Sequence, residues 1–347
     1  MRVSPENGRP VGRQPTLEDV AAHAGVSRSL VSIVLRGVPG ASEVTRRRVL
    51  QAAADIGYRP DARARLLASG NSRLLGVVFG MSGRFHLELL DGLYVAAENA
   101  GYELILSALT PSRDERRAVE TLLDFRCEAV ILVQPGADAP VLARRLPVVV
   151  IGWEVADQSV DVIRTSDAEG MRLAVDHLAD LGHRRIVHVD GGVGPVATSR
   201  GRAYRAAMCR RDLDQHVRVV DGGINQEDGT AAARLLLDQR SLPSAVIAYN
   251  DDVAAGLFET LSRAGVGIPD DVSIVGWDDS SLSHLPHLEL TTVRQDAGEM
   301  TRLAVERCAA RLTDDAVPDR DLVLSPTLIM RSSTRGPAGA GPGPARA

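Results

Sequence analysis

Arginines and small hydroxyl side chains recur near the starts of short apolar helices between Thr16 and Arg47. Arg28 and Ser29 come first in the second of these segments, where arginine suits guanine O6 and N7 and serine can meet several bases. Hydroxyls near helix starts suit phosphate oxygens, and the candidates are Thr16, Ser27, Ser32, Ser42 and Thr45. Further charge contacts with phosphates are expected from Arg36, Arg46 and Arg47. The chemistry predicted for this segment is contact with double-stranded DNA.

Local sequence signals place these side chains on three helices. Thr16 is predicted to cap the first helix, with Asp19 completing a capping box. Gly25 falls in a turn before the second helix, and Ser42 and Gly57 bracket the third. This layout predicts a helix-turn-helix, in which the second helix enters the major groove. The alternative is a packed helix pair with no nucleic-acid role, which leaves the agreement of caps, turn and charge unexplained.

Charge is distributed unevenly along the chain. Residues 1–73 carry 12 Arg and 6 acidic residues, a net charge of +6, while the remainder has a net charge of −11. A basic head on an acidic body is typical of a protein that binds a polyanion through the head alone. The chain has no lysine, so each basic contact can be bidentate.

Several classes of protein are disfavoured by composition. No apolar run reaches the roughly 18–20 residues of a membrane span, and the N-terminus lacks the apolar core of a secretory signal. Cys127, Cys209 and Cys308 form neither a metal-binding spacing nor a disulfide framework. We therefore expect a cytoplasmic protein without membrane contact, in which all three cysteines are buried small hydrophobes.

Catalytic, metal and cofactor sites are not expected either. The glycine-rich stretch at residues 190–194 lacks a full dinucleotide-binding pattern. His177, His183 and His188 are interpreted as structural hydrogen-bonding residues rather than metal ligands. Asp278 and Asp279 have no accompanying nucleophile in a matching motif, so the sequence predicts a protein that is not an enzyme and has no cofactor.

Beyond residue 72, apolar strands alternate with amphipathic helices about every 25–30 residues. Such alternation indicates parallel sheets covered by helices on both faces, and the length favours two sheets with a cleft between them. Strands are predicted at 74–79, 102–108, 129–133, 148–151, 185–189, 218–220, 245–248 and 273–275. Helices are predicted at 87–100, 113–125, 168–180, 230–239 and 253–264.

From Thr16 to about Ser333 the chain resembles the lactose-repressor/galactose-repressor (LacI/GalR) family. The motifs that carry the resemblance in the head are TLEDVAAHAGVSRSLVSIVLRG and the hinge GYRPDARARLL. The family usually has arginine at the base-reading position occupied here by Ile33, so one common contact is missing. The resemblance implies an α/β fold with a three-helix head, a hinge helix, and a periplasmic-binding-protein-like core of two doubly wound parallel-sheet subdomains.

The resemblance also assigns roles to the hinge. Leu67 lies at the position of a leucine that enters the minor groove, and Ala64 lies where two hinge helices pack closely. An apolar wedge unstacks one base step and bends the duplex. The alternative is that Leu66 and Leu67 pack against the core.

In the core, the matching motifs are HLADLGHRRIVHVDG, SRGRAY, YNDDVAAG and VGWDDS. They imply polar contacts to an effector from Arg200, Asn250 and Asp278, side chains suited to vicinal hydroxyls or a nucleobase. Phe85, His86 and Trp153 fall where some members stack on the ligand, although ordinary core packing is the alternative. Sugar-binding members often have aspartate in place of Gly152, which argues against a simple hexose.

The predicted function is that of a homodimeric repressor of a palindromic operator, controlled by a sugar or related metabolite. A corepressor-type or activating regulator is the main alternative, and a solute-binding protein or an enzyme are others. The predicted divisions are a disordered tail at 1–15, the helix-turn-helix domain at 16–60, the hinge helix and linker at 61–72, the core at 73–333 and a disordered tail at 334–347. Within the core, one subdomain comprises about 73–164 and 295–323, and the other about 165–294 and 324–333.

Overall fold

The computed structural model describes residues 15–35, 37–58, 71–80, 83–133, 139–313, 317 and 319–337. It divides into two compact units, Met1–Ser72 and Arg73–Ala347, which are described separately. The predicted roles of Arg36, Ala64 and Leu67, and the hinge helix as a whole, fall outside the described residues.

The head contains three helices: α1 (Leu17–Ala24), α2 (Arg28–Leu35) and α3 (Glu43–Asp55). Thr16 and Asp19 form the predicted capping box, and Ser42 caps α3. Gly25 adopts φ +63°, a left-handed conformation that ends α1 and starts the turn. Each helix buries an apolar stripe, so the small core consists of Val20, Val31, Val34, Val49 and the alanines beside them.

The larger unit has twelve strands and eight helices in its described part. The strands are β1 (Leu74–Gly80), β2 (Glu103–Leu109), β3 (Ala129–Leu132), β4 (Val148–Ile151), β5 (Asp161–Thr165), β6 (Ile186–Val189), β7 (Val219–Val220), β8 (Ala245–Ala248), β9 (Ser273–Asp278), β10 (Thr291–Arg294), β11 (Asp321–Leu324) and β12 (Thr327–Ile329). The helices are α4 (Arg84–Asn99), α5 (Glu115–Asp124), α6 (Ala139–Ala143), α7 (Asp167–Asp180), α8 (Pro195–Arg210), α9 (Gln226–Leu237), α10 (Asp251–Arg263) and α11 (Ala297–Leu312).

The strands form two six-stranded sheets. The first has the order β11-β5-β4-β3-β1-β2 and is parallel throughout. The second has the order β12-β10-β9-β8-β6-β7, and only its edge strand β12 is antiparallel. The chain crosses between the sheets after β5, after β10 and after β11, so three segments join the two halves. The predicted fold class is confirmed for the described residues.

Helices cover both faces of each sheet. In the first half, α4 and α11 pack on one face and α5 and α6 on the other. In the second half, α7 and α8 oppose α9 and α10. Because both faces are covered, every residue of β3, β4 and β8 is buried. None of the helices in the described ranges is long and apolar enough to cross a bilayer.

Two predictions are wrong. Cys209 is exposed on α8, whereas Cys127 and Cys308 are buried as expected. Desolvation raises the pKa of Cys127 to about 11 and also raises that of Cys308.

The second wrong prediction is the disordered tail at residues 334–337. Thr334 Oγ1 bonds His177 Nε2 at 3.0 Å, and the Arg335 carbonyl accepts from Ser273 Oγ at 3.0 Å. These contacts fasten the segment to the second half of the core, a pairing that composition alone does not reveal.

Candidate functional site

Three of the five predicted phosphate-contacting hydroxyls of the head serve as helix caps. The oxygens of Thr16, Ser27 and Ser42 accept backbone amides of their helices at 3.4, 3.2 and 3.2 Å. Thr45 Oγ1 lies 3.0 Å from Ser42 Oγ. A cap hydroxyl is held at the start of its helix, where backbone amides and the helix dipole favour an anion. Their contact with phosphates stays a prediction.

The predicted base-reading residues lie along α2. Arg28 and Ser29 are exposed at its first turn, while Ile33 and Ser32 are half-buried. Ile33 packs towards the loop that follows the helix, since a Cβ placed on Gly40 would lie 3.5 Å from Ile33 Cγ2. The start of α2 is therefore the most accessible part of the helix for base contacts.

Arg46 has a structural role that was not predicted. Its guanidinium donates to the carbonyls of Val34 and Val38 at 3.3 and 3.2 Å. These carbonyls lie at the end of α2 and in the loop after it, so Arg46 ties α3 to that end. Two of the five N–H donors of Arg46 are thus used within the fold, and its contact with a phosphate stays a prediction.

In the core, a cavity of about 190 Å³ lies where the carboxyl ends of both sheets face each other. Ligands of open parallel sheets bind at this edge. All six predicted effector residues line it: Phe85, His86, Trp153, Arg200, Asn250 and Asp278. The second half supplies most of the polar groups and the first half mainly apolar ones, among them Leu89, Val133 and Ile151.

Arg200 is held rigidly on α8. Its Nε donates to Asp167 Oδ1 at 3.1 Å and its Nη1 to the Tyr249 carbonyl at 2.6 Å. Its guanidinium carbon lies 4.7 Å from the ring centre of Tyr249 and 4.2 Å from that of Trp277, which favours cation–π attraction. In the described part of the chain Nη2 has no acceptor, so this amino group is available to a ligand in the cavity.

Asp278 ends β9 in a strained conformation. It and Asp279 adopt φ +114° and +57°, which non-glycine residues rarely do. Gln295 Nε2 donates to Asp278 Oδ1 at 2.7 Å, and Arg294 and Arg331 each bind Asp279 at 2.6 Å. Burial raises the pKa of Asp278 well above its ordinary value, although Arg200 opposes the shift. A protonated Asp278 would present both a hydrogen-bond donor and an acceptor to a neutral polar ligand.

Asn250 is less available than the motif implied. It caps α10 by accepting the Val253 amide at 2.8 Å, and its Nδ2 donates to the Ile224 carbonyl at 2.8 Å. Its neighbour Asp251 is fully buried and accepts Thr292 Oγ1 at 2.7 Å and the Ser280 amide at 2.7 Å. Burial raises the pKa of Asp251 to about 7. Asn250 thus lines the cavity with its side chain engaged in the fold, and the buried Asp251 is not part of the lining.

Phe85 and Trp153 pack in the core and also line the cavity, while their stacking on a ligand stays a prediction. They are 8% and 7% exposed and belong to the two apolar cores of the first half.

The three histidines that were predicted to be structural do form hydrogen bonds within the core. His177 and His183 bond Thr334 and the Arg335 carbonyl, and His188 bonds the Ile247 carbonyl. Within the described residues no cluster of three or more potential ligands could hold a metal ion.

Comparison with known proteins identifies both units. The family profile described as bacterial regulatory proteins, lacI family, matches residues 16–61, and that of a periplasmic binding protein-like domain matches residues 175–334. The ribose operon repressor of Haemophilus influenzae is 32% identical over 329 residues, covering 92% of this chain and 98% of the relative. The chain belongs to the lacI family of bacterial regulatory proteins.

Solved structures agree with this family assignment. A LacI transcriptional regulator from a Rhodococcus species is 40% identical with a TM-score of 0.72, covering 76% of this chain and 98% of that one. The lac repressor dimer bound to operator and the anti-inducer ONPF is 27% identical with a TM-score of 0.83, covering 93% and 100%. The predicted family resemblance is therefore confirmed.

The backbone of Gly152 gives a physical reason why this lacI-family chain has glycine where the family resemblance led us to expect aspartate. It lines the cavity at φ +111°, in the region that favours glycine, while a Cβ there would meet nothing within 4 Å. The restriction is therefore conformational rather than spatial. An aspartate at this position would have to adopt a strained backbone or move the loop after β4.

Sequence reasoning missed three residues of the site. Gln295 binds Asp278, and Tyr249 and Trp277 stack on Arg200. Tyr249 directly precedes Asn250 in YNDDVAAG, and Trp277 directly precedes Asp278 in VGWDDS. An aromatic residue preceding a polar residue at the carboxyl end of a strand is the signal that could have identified them.

Proposed function

We propose that this chain is a ligand-responsive repressor that binds a palindromic DNA operator as a homodimer. The observation that carries the proposal is the presence, in one chain, of an exposed Arg28–Ser29 helix start and a cavity lined by both halves of a binding core. A structural relative, 27% identical to this chain, is a lac repressor dimer bound to operator and the anti-inducer ONPF. Since the DNA target is chromosomal, the proposal also places the protein in the cytoplasm and assigns it no catalytic role.

The core supports control by a small molecule through its three crossings between the sheets. A ligand that contacts Arg200 and Asp278 from one half and Phe85 and Trp153 from the other would favour one arrangement of the halves. The hinge at 61–72 would pass that preference to paired heads, with Ala64 and Leu67 in the predicted roles. By linkage, operator and ligand change each other's affinity by the same factor.

The ligand class that fits best is a small polar metabolite, such as a sugar derivative or a nucleoside. Asp278, Gln295 and Arg200 offer donors and acceptors to the cavity, and Leu89, Val133 and Ile151 offer apolar surface. One relative is named a ribose operon repressor. We propose that the bound molecule relieves repression.

Fluorescence polarisation of the full chain tests the proposal. The probe is labelled duplex DNA from the promoter region of its own gene, compared with scrambled duplex, with and without metabolites found in a melting-shift screen. Preference for the promoter DNA that weakens with a metabolite supports an inducible repressor. Absence of any sequence preference would refute it and favour a solute-binding protein, whereas stronger DNA binding with the metabolite would replace the inducer mode by a corepressor mode.

A further inference from the structure

An acidic residue lies beside the predicted base-reading arginine. Arg28 Nη1 is 3.0 Å from Glu18 Oε1, which joins the first turn of α1 to the first residue of α2. The adjacent acid has a different task, because Asp19 Oδ2 accepts the Thr16 amide at 2.8 Å and completes the cap of α1. Capping therefore accounts for Asp19 but not for Glu18.

Folding stability does not account for this ion pair either. The side chains of Arg28 and Glu18 are 67% and 59% exposed, and pairs this exposed contribute little to stability. A carboxylate on a DNA-facing edge is also repelled by phosphates, which lowers affinity for every sequence. Such a residue is an advantage for recognition where it improves discrimination between sequences.

The geometry of the pair suits such discrimination. A guanidinium has five N–H donors in a planar fork, so binding Glu18 through Nη1 leaves other donors for a guanine. A carboxylate that holds the fork also reduces the number of side-chain orientations lost on binding. Opposite a base that offers Arg28 no paired acceptors, the repulsion between Glu18 and the phosphates would remain, and no arginine–guanine contact would compensate for it.

We expect Arg28 to carry much of the base recognition. It is the one basic residue within α2. Ile33 packs towards Gly40, and the guanidinium of Arg46 is held by backbone carbonyls. We propose that Glu18 is a specificity-determining residue that positions Arg28 for a guanine and disfavours other bases there. This inference rests on the proposed DNA-binding function.

The test selects duplexes from a pool with 20 randomised base pairs, using the full-length chain and sequencing the bound fraction. Glu18→Ala and Glu18→Gln are compared with Arg28→Ala and with Asp55→Asn, a charge-matched control on α3 that pairs with His23. We expect both Glu18 variants to lose about tenfold in base preference at the symmetric positions where Arg28→Ala also loses it. Binding to unselected duplex should rise severalfold in the Glu18 variants, and Asp55→Asn should keep the selected motif.

The outcomes separate this inference from the proposed function. If the unaltered protein selects no motif, the proposed function itself fails. If it selects a motif that both Glu18 variants retain at every position, or if the loss falls at positions that Arg28→Ala leaves intact, Glu18 does not determine specificity. Melting curves of each variant confirm that the exposed substitutions leave the head folded.

Discussion

The carboxylate of Asp252 accepts a hydrogen bond from the backbone amide of Arg84 at 3.3 Å, across the two halves of the core. Helix α4 has no side-chain cap of its own, because Gly83 occupies its N-cap position. A second link follows one turn later, where Glu88 Oε1 accepts the Ser281 amide at 2.9 Å. The helix that carries Phe85 is therefore fastened to the half that carries Arg200.

Removing the Asp252 contact should weaken the coupling between ligand and DNA. In Asp252→Ala, we expect the factor by which ligand changes DNA affinity to move severalfold towards one, because the link between the halves is lost. Asp252→Asn keeps an acceptor oxygen and should retain most of the coupling. Polarisation titrations with and without ligand measure the factor. Glu259→Ala on the same helix, where Glu259 pairs with Arg263, is the control; equal coupling in Asp252→Ala and this control would contradict the prediction.

Replacing Arg200 by lysine should weaken the ligand response while DNA binding persists. Lysine keeps the charge but loses the planar stack between Tyr249 and Trp277 and the fork that reaches Asp167 and the cavity. We expect ligand affinity to fall about tenfold or more, since hydrogen bonds to charged groups contribute about 1.5–3 kcal/mol. Calorimetric titration measures it, and wild-type affinity in Arg200→Lys would remove Arg200 from the site.

Local signals predicted some elements well and long-range contacts determined the others. Thr16, Gly25 and Ser42 act on neighbouring residues, so the head helices could be predicted. Strand β5 could not, because its buried Asp161 is stabilised by Arg311, 150 residues away, at 2.8 Å. Strand β10 was missed for the same reason, since Thr292 is buried against Asp251.

The candidate site follows the same division. Family motifs brought six residues to one cavity, but they gave no indication of what each side chain already binds. Asn250 is occupied by helix capping, and Arg46 by carbonyls of α2 and its loop. Gln295 was missed because its partner Asp278 becomes a neighbour only when β9 and β10 pair.

Adding a methyl group at Gly152 should destabilise the core. The strained φ of +111° predicts that Gly152→Ala lowers the free energy of unfolding by about 1–2 kcal/mol. Gly201→Ala is the matched control, because Gly201 lies within α8 with its nearest new contact at 3.4 Å. The control should be neutral or stabilising by up to about 1 kcal/mol. Urea unfolding of both variants measures these free energies of unfolding. Equal stabilities would show that the loop after β4 adapts freely.

His188 should make the core less stable in mild acid. Burial lowers its pKa from 6.5 to about 4, so the unfolded chain binds a proton more readily than the folded one between these values. Its contribution is complete above pH 6.5 and is lost as pH falls towards 4, by about 3 kcal/mol in all. Comparing unfolding free energies at pH 7 and pH 5 for the wild type and His188→Gln isolates this group. If His188→Gln keeps the wild-type pH dependence of stability, a group other than His188 is responsible for it.

Leu67→Ala should weaken operator binding selectively. The predicted minor-groove wedge acts only on a bent specific site, so binding to unrelated duplex should be unchanged. Gel-shift titrations with operator and scrambled duplex, at low and physiological salt, measure both. Equal operator affinities would exclude the wedge, and affinity that does not fall with salt would contradict phosphate docking.

The exposure of Cys209 gives the intact protein a built-in attachment point for a reporter dye. Maleimide reacts with accessible thiolates, and the other two thiols are buried with raised pKa values, so labelling will concentrate at this residue. Cys209 lies on α8, the helix that carries Arg200. A fluorophore there would follow effector binding in the unmutated chain, with no engineered cysteine to introduce and none to remove.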